Sequence, residues 1–337
     1  MLSQSVNRSS TTTSSLTRER RDLNGGTARA IKAYSLTTAA IQQFGDEGFL
    51  VLPDLCDPVE LAWMSQTLRD LFQRQVGRDR GQQFDMLGLD VDGAKTIQPQ
   101  IVKPSLFSSE FLRTMYYRRA CVAAHQLLGP DAHFSFDHSI LKPAGSAAAT
   151  PWHQDEAHHT DMYFRYRQIS FWMPLQNTPV DRGCMRYIPK SHRGPLLPHR
   201  HLNNDPRVHA IECPTEYFDE TLAVSKPAAA GSCILHDGRT LHSALPNVSR
   251  TDRIAYVIAF VGPPLPRERT RSSRSADKSH TANERRRITW LLRGGIFVTL
   301  LRRLRQGLRS EPKLLWLKAR MLAHVAREGW RNLKPFQ

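Results

Sequence analysis

The chain is expected to fold mainly as β-sheet with flanking helices, as a double-sheet jelly roll carrying N-terminal helices and a C-terminal helical extension. Three observations lead there. Between His133 and Phe260 the apolar residues come in short runs separated by long, turn-rich loops, without the strand–helix alternation that builds a parallel sheet. Before and after that stretch they recur at the three- and four-residue spacing of amphipathic helices. The chain has 337 residues, enough to bury a real core in one large domain with additions.

Taken in order, residues 1–36 are rich in Ser, Thr and Arg and almost lack apolar side chains, so a disordered tail is expected. Its Arg- and Ser-rich composition also resembles an organellar transit peptide, against which Glu19 and Asp22 speak; the apolar core of a secretory signal is missing. The body, 37–262, opens with a helix running into a strand at Phe49, Leu50, Val51 and Leu52. Asp57 as N-cap and Pro58 at the first helical position then start a second helix with Leu61, Met64, Leu68 and Leu71 on one face. Residues 78–93 are polar and Gly-rich and read as a loop. A helical pattern over 112–128 stops at Gly129 and Pro130. Strands follow over 134–141 and 168–175, a turn and strand over 183–189, and strands over 232–236 and 253–260, the last rich in β-branched and aromatic types.

The formal charge of +16 is unevenly spread. From Pro263 onward there are 19 Lys and Arg against 5 Asp and Glu, so the body is nearly neutral and the basic character belongs to the tail. Residues 263–287, rich in Pro, Ser and Arg, read as a basic linker. Residues 288–337 read as a basic amphipathic helical extension, with Ile288, Leu292, Ile296 and Leu300 at helical spacing and arginines on other faces. Such helices suit either a peripheral membrane contact or a hairpin packed on the barrel. No stacking platform or nucleic-acid motif accompanies the charge, which argues against a nucleic-acid partner. Five cysteines without a C-x-x-C pair neither frame a disulfide scaffold nor build a zinc site. A reducing, cytoplasmic setting is therefore expected, with contact at a membrane surface left open.

The chemistry centres on Pro151-Trp152-His153-Gln154-Asp155. Two residues apart on an extended segment, His153 and Asp155 point to the same side and can grip one ion. A third ligand from a distant strand completes a 2-His-1-carboxylate triad, the signature of non-haem Fe(II) oxygenases. His242 is the candidate, with His158 and His159 as alternatives. Arg253 follows His242 after the turn-rich run 245–252, and a hairpin is expected to bring it back beside His242. Its planar fork suits bidentate capture of a carboxylate co-substrate.

On His153, Asp155, His242, Arg253 and the segment Arg182-Gly183-Cys184-Met185-Arg186-Tyr187-Ile188-Pro189-Lys190-Ser191-His192, the chain resembles the phytanoyl-CoA dioxygenase family over residues 38–262. The resemblance implies a double-stranded β-helix that binds Fe(II) through His153, Asp155 and His242 and uses 2-oxoglutarate and O2 as co-substrates. It implies Arg253 as the grip on the far carboxylate of 2-oxoglutarate, with Trp172, His138 and Lys103 as further contacts. The activity implied is hydroxylation of an unactivated C–H bond in a small-molecule or lipid-like substrate, with release of succinate and CO2. A non-catalytic jelly roll with a membrane-associated or regulatory role is the alternative. Two positions depart from the family pattern: Ser232 replaces a frequent Asp, and Lys190 replaces the Gly before Ser191-His192. Asp155 is kept, unlike in the related halogenases.

Overall fold

A computed structural model describes residues 34–91, 93–159, 164–266, 278–296 and 298–299. The tail expected over 1–36 lies outside them except for its last three residues, and so do residues 300–337 of the expected extension.

Capping fixes where the helices begin. Thr37 accepts a hydrogen bond from the Ala40 N–H and starts α1, Thr38–Glu47. Gly48, at φ 83°, ends it; any Cβ there would strike His192 and Thr240, so this left-handed turn needs glycine. β1, Phe49–Leu52, follows directly. Asp57 accepts from the N–H groups of Val59 and Glu60, and Pro58 opens α2, Pro58–Gln73. α3, Met115–Leu128, is capped by Thr114. Its Met115 N–H donates to the Glu60 carboxylate at 2.7 and 3.0 Å, which ties the two helices together.

The strands are β2 (Gln83–Asp85), β3 (Pro99–Val102), β4 (His133–Lys142), β5 (Thr150–His153), β6 (Phe164–Pro174), β7 (Met185–Tyr187), β8 (Arg200–His201), β9 (Ile211–Glu212), β10 (Val224–Lys226), β11 (Cys233–Asp237), β12 (His242–Ala244) and β13 (Arg253–Pro266). Seven of them form one sheet in the order β1-β11-β6-β13-β4-β3-β2, and four form a second in the order β10-β7-β12-β5. The small pair β8-β9 stands apart, and all pairings are antiparallel. This is the jelly roll expected from the sequence.

Alternation along the large sheet decides what each face does. Ile254, Tyr256, Ile258 and Phe260 of β13 pack into one core with the helices, joined by Phe171 of β6 and by Met64 and Leu68 of α2. Ala255 and Val257 face the other way, into a second core with Trp172, Ile234 and Tyr187. The helix-side aromatics are anchored as well as buried: Tyr256 donates to Asp137 at 2.9 Å and Tyr116 to the Phe171 carbonyl at 2.6 Å. Each such large side chain contributes roughly 1.5–3 kcal/mol by leaving water. The inner face is thereby left for the site.

Three expectations are corrected. Residues 78–93 are not all loop, because Gln83–Asp85 pairs with β3 as an edge strand. β12 and β13 do not form a hairpin: β12 lies in the four-stranded sheet between β7 and β5, while β13 lies between β6 and β4. The run 245–252 crosses from one sheet to the other, a job its turn residues serve equally well. Residues 263–287 are no simple linker either, since β13 continues to Pro266 against Phe164 and the described part from Lys278 is helical. There α4, Ala282–Trp290, docks on residues 78–81, with Asn283 and Thr281 buried. Among the described residues no helix is long and apolar enough to cross a membrane, and all five cysteines are free thiols.

Candidate metal centre and co-substrate pocket

His153 ends β5 and His242 begins β12, and the two are direct partners in the ladder. Their rings lie 4.2 Å apart between centroids. Gln154 keeps the chain extended, and Asp155 then starts a short 3-10 turn that brings its carboxylate round to both imidazoles. Asp155 Oδ1 is 3.8 Å from His153 Nε2 and 3.7 Å from His242 Nε2. One ligand atom from each of the three residues lies within 4.8 Å of the others, a spacing that admits a single ion. The His153 and His242 Nδ1–H groups donate to the carbonyls of Pro151 and Thr240, at 2.9 and 2.8 Å. These bonds fix the tautomer and turn both Nε2 lone pairs inward. Burial pushes both imidazoles below their ordinary pKa, which favours the neutral form a metal needs. His158 and His159 are not among the three ligands.

The other oxygen of Asp155 is held by groups of the large sheet. Ser170 donates to Oδ2 at 2.6 Å, Gln168 at 3.3 Å, and His236 Nε2 lies 3.3 Å away. Burial alone would raise this carboxyl, but His236 together with His242 and His153 keeps it well below the usual range. His236 escaped the sequence reading. Its signal was alternation in β11, where Cys233 and Leu235 face the helices while Ile234 and His236 face inward.

Deeper between the sheets lies a second constellation. Arg253 is 1% exposed, with Nη2 donating to the Gly183 carbonyl at 3.1 Å and Trp172 under its guanidinium at 5.4 Å. Its Nε and Nη1 are buried without partners. Burial lowers its pKa only to about 10, so it stays charged near neutrality. Directly opposite on β4 is Lys142, also 1% exposed, and burial and the Arg253 charge push its pKa well down. Among the described residues neither side chain is ion-paired with a carboxylate. A buried guanidinium with two orphaned donors, and a buried lysine opposite it, fit the carboxylate end of a small dianion.

With the triad and the arginine fork placed, comparison with known proteins decides the family. The family model described as phytanoyl-CoA dioxygenase matches residues 44–255. The chain belongs to the phytanoyl-CoA dioxygenase family. Over 119 residues it is 32% identical to the probable alpha-ketoglutarate-dependent hypophosphite dioxygenase of Stutzerimonas stutzeri, a match spanning 34% of this chain and 40% of that protein. It is 25% identical over 235 residues to the ectoine dioxygenase of Halomonas elongata, covering 65% of this chain and 68% of the relative. The crystal structure of EvdO2 from Micromonospora carbonacea var. aurantiaca, complexed with 2-oxoglutarate, superposes with a TM-score of 0.61 at 32% identity, over 72% of this chain and 98% of that one. The epimerase SnoN from nogalamycin biosynthesis shares the fold, with a TM-score of 0.54 and 20% identity over 72% of this chain and 87% of its own.

The further contacts that the family resemblance suggested divide. Trp172 and His138 face the pocket. Trp172 stacks on Arg253, and His138 lies close enough to Asp155, His236 and His153 to feel their charges, its Nδ1 buried and unpartnered and its pKa lowered to about 4 by burial. Lys103 sits exposed in a left-handed turn (φ 60°) just after β3, and Lys142 is the lysine directly opposite Arg253 in the ladder. Lys190, which stands where the family has Gly, adopts φ 66°, so the turn keeps its glycine-like shape in a lysine.

Proposed function

We propose that the protein is an Fe(II)- and 2-oxoglutarate-dependent dioxygenase that hydroxylates a C–H bond of a small-molecule or lipid-like substrate. One observation carries the reading: a three-residue ion site with preset Nε2 lone pairs opens toward a buried arginine whose two free donors await a carboxylate. His153, Asp155 and His242 would hold the ferrous ion, and Arg253, flanked by Lys142, would hold the far carboxylate of 2-oxoglutarate. When bound, the metal and its keto acid supply the oxidising chemistry, with succinate and CO2 as by-products. The protein's own contribution is position and dryness. Ladder pairing sets the two histidines, Ser170 and His236 aim the carboxylate, and Trp172 walls the guanidinium from water. The 2-oxoglutarate in the EvdO2 crystal supports this assignment.

The test is succinate release from 2-oxoglutarate under air with added Fe(II), followed by a mass screen for products that have gained one oxygen atom. His153→Ala should abolish both metal binding and succinate release, because two remaining ligands hold a ferrous ion weakly. Full activity in that variant would sink the assignment. Absence of succinate from the parent protein would favour a non-catalytic jelly roll.

A further inference from the structure

The C-terminal segment that begins at Lys278 lies beyond residues 44–255 matched by the family model, yet its first side chain enters the site. Lys278 Nζ stands 2.8 Å from His158 Nδ1 and 3.3 Å from His209 Nε2. The His158 ring in turn stands edge-on to the ligand His153, 5.9 Å between centroids. The segment is locked in place. Thr281 donates to the Lys278 carbonyl at 2.8 Å, Arg286 pairs with Asp90, and Arg80 lies over the Trp290 ring at 5.7 Å. Gly81 makes room for it, because a Cβ there would overlap the Asn283 carbonyl.

We propose that Lys278, His158 and His209 form a subsite for an anionic group of the substrate, a carboxylate or a phosphate, so that the C-terminal segment completes the active site. This rests on the oxygenase reading above and names the substrate class for it. The argument is one of unbalanced charge. Among the described residues no carboxylate lies within ion-pair distance of Lys278. The acids nearest the segment are engaged elsewhere: Glu284 with Arg287, and Asp90 with Arg78 and Arg286. Glu284 reaches Lys278 only as a distant attraction, while burial holds the ammonium to about 8, still cationic near neutrality. An ammonium has three N–H donors, of which the two imidazoles take two, and His209 Nδ1 is buried without a hydrogen bond of good geometry, the Asn283 side chain lying near the ring. A buried cation facing two neutral imidazoles is costly, and an arriving anion offsets that cost with charge-assisted hydrogen bonds. The cluster adjoins the metal ligands His153 and Asp155, whose side chains keep 16% and 19% exposure while that of His242 keeps 4%.

The experiment uses the full chain, metal-free and labelled with 15N at histidine, titrated separately with inorganic phosphate and with acetate. Ring-nitrogen signals of His158 and His209 are assigned by replacing each histidine in turn. Saturable movement of both signals is expected, and whichever anion binds more tightly identifies the group. Lys278→Gln keeps two N–H donors but removes the charge, and should weaken the response at least tenfold. Lys278→Arg should restore most of it, and would carry the test if the glutamine variant failed to fold. Signals that stay still with both anions, or a Lys278→Gln variant that responds like the parent, would overturn the subsite and reduce Lys278 to a docking plug. Succinate release by the same parent preparation tests the oxygenase reading separately: its absence, with the anion response intact, would overturn that reading and leave the subsite standing.

Discussion

Replacing Arg253 with lysine separates charge from shape at the point where 2-oxoglutarate should be gripped. The guanidinium gives one Nη2 proton to the Gly183 carbonyl and leaves Nε and Nη1 unpartnered, either of which can join the second Nη2 proton in the two parallel bonds of a fork. A lysine ammonium keeps the charge but forms one of those bonds at best. A hydrogen bond to a charged group contributes about 1.5–3 kcal/mol. At about 1.4 kcal/mol per decade, the variant should bind 2-oxoglutarate roughly 10- to 150-fold more weakly. Without ligand, stability should change little. The substitution loses the bond to Gly183 and the stacking on Trp172, worth together roughly 2–4 kcal/mol, but it also removes two orphaned buried donors that cost about 1–3 kcal/mol each. The defect should therefore appear in anaerobic calorimetric titration of 2-oxoglutarate into the iron-loaded enzyme, and not in the melting temperature or the iron affinity. An affinity within twofold of the parent would refute the fork and place the carboxylate elsewhere.

Other predictions follow from the neighbours of these groups. His236→Leu strips a partner from Asp155 Oδ2, and an outer-shell loss of this kind costs on the order of 10- to 100-fold in metal affinity; Co(II) binding within twofold of the parent would show that Ser170 and Gln168 suffice. Lys142 carries a strongly lowered pKa through burial and then Arg253. Its penalty is thus full below the folded pKa and fades as pH rises toward about 10.4, the unfolded value, because the folded state sheds a proton that the unfolded chain keeps. Lys142→Met should make the metal-free protein more stable than the parent near pH 7, with the gap closing toward pH 10 in urea unfolding. A gap that stays constant across that range would contradict a buried, depressed lysine.

Much of this was legible in the residues because the signals were local. Thr37, Asp57 and Pro58 mark helix starts through their own side chains, and the β-branched and aromatic residues of 253–260 mark β13 as a strand. His153 and Asp155 lie two apart, so their convergence followed from extended geometry alone. What escaped reading lay across the sandwich or across the chain. Lys142 meets Arg253 only through a strand register that sequence spacing does not set, and Lys103 was named because the family resemblance pointed to the 98–103 region, where it is the charged residue. The turn residues of 245–252 looked like a hairpin because a sheet-to-sheet crossing needs the same residue types. In the described part of 263–287, composition suggested a linker while a few specific contacts, Asn283 against Gly81 and Arg286 with Asp90, dock it.

The ligand set straddles the sandwich: His153 and His242 belong to the four-stranded sheet, whereas Asp155 is held from the seven-stranded one by Ser170 on β6 and His236 on β11. An ion at this point acts as a clasp between two layers. Its grip then depends on the gap between them, which is set by the side chains interleaved there, such as Phe49 stacked on Tyr187 at 4.7 Å. Thickening or thinning that filling would part or press the layers and detune the clasp from a distance, with every ligand still in place. Conversely, losing the ion should let this end of the sandwich breathe while the helix-backed face stays shut.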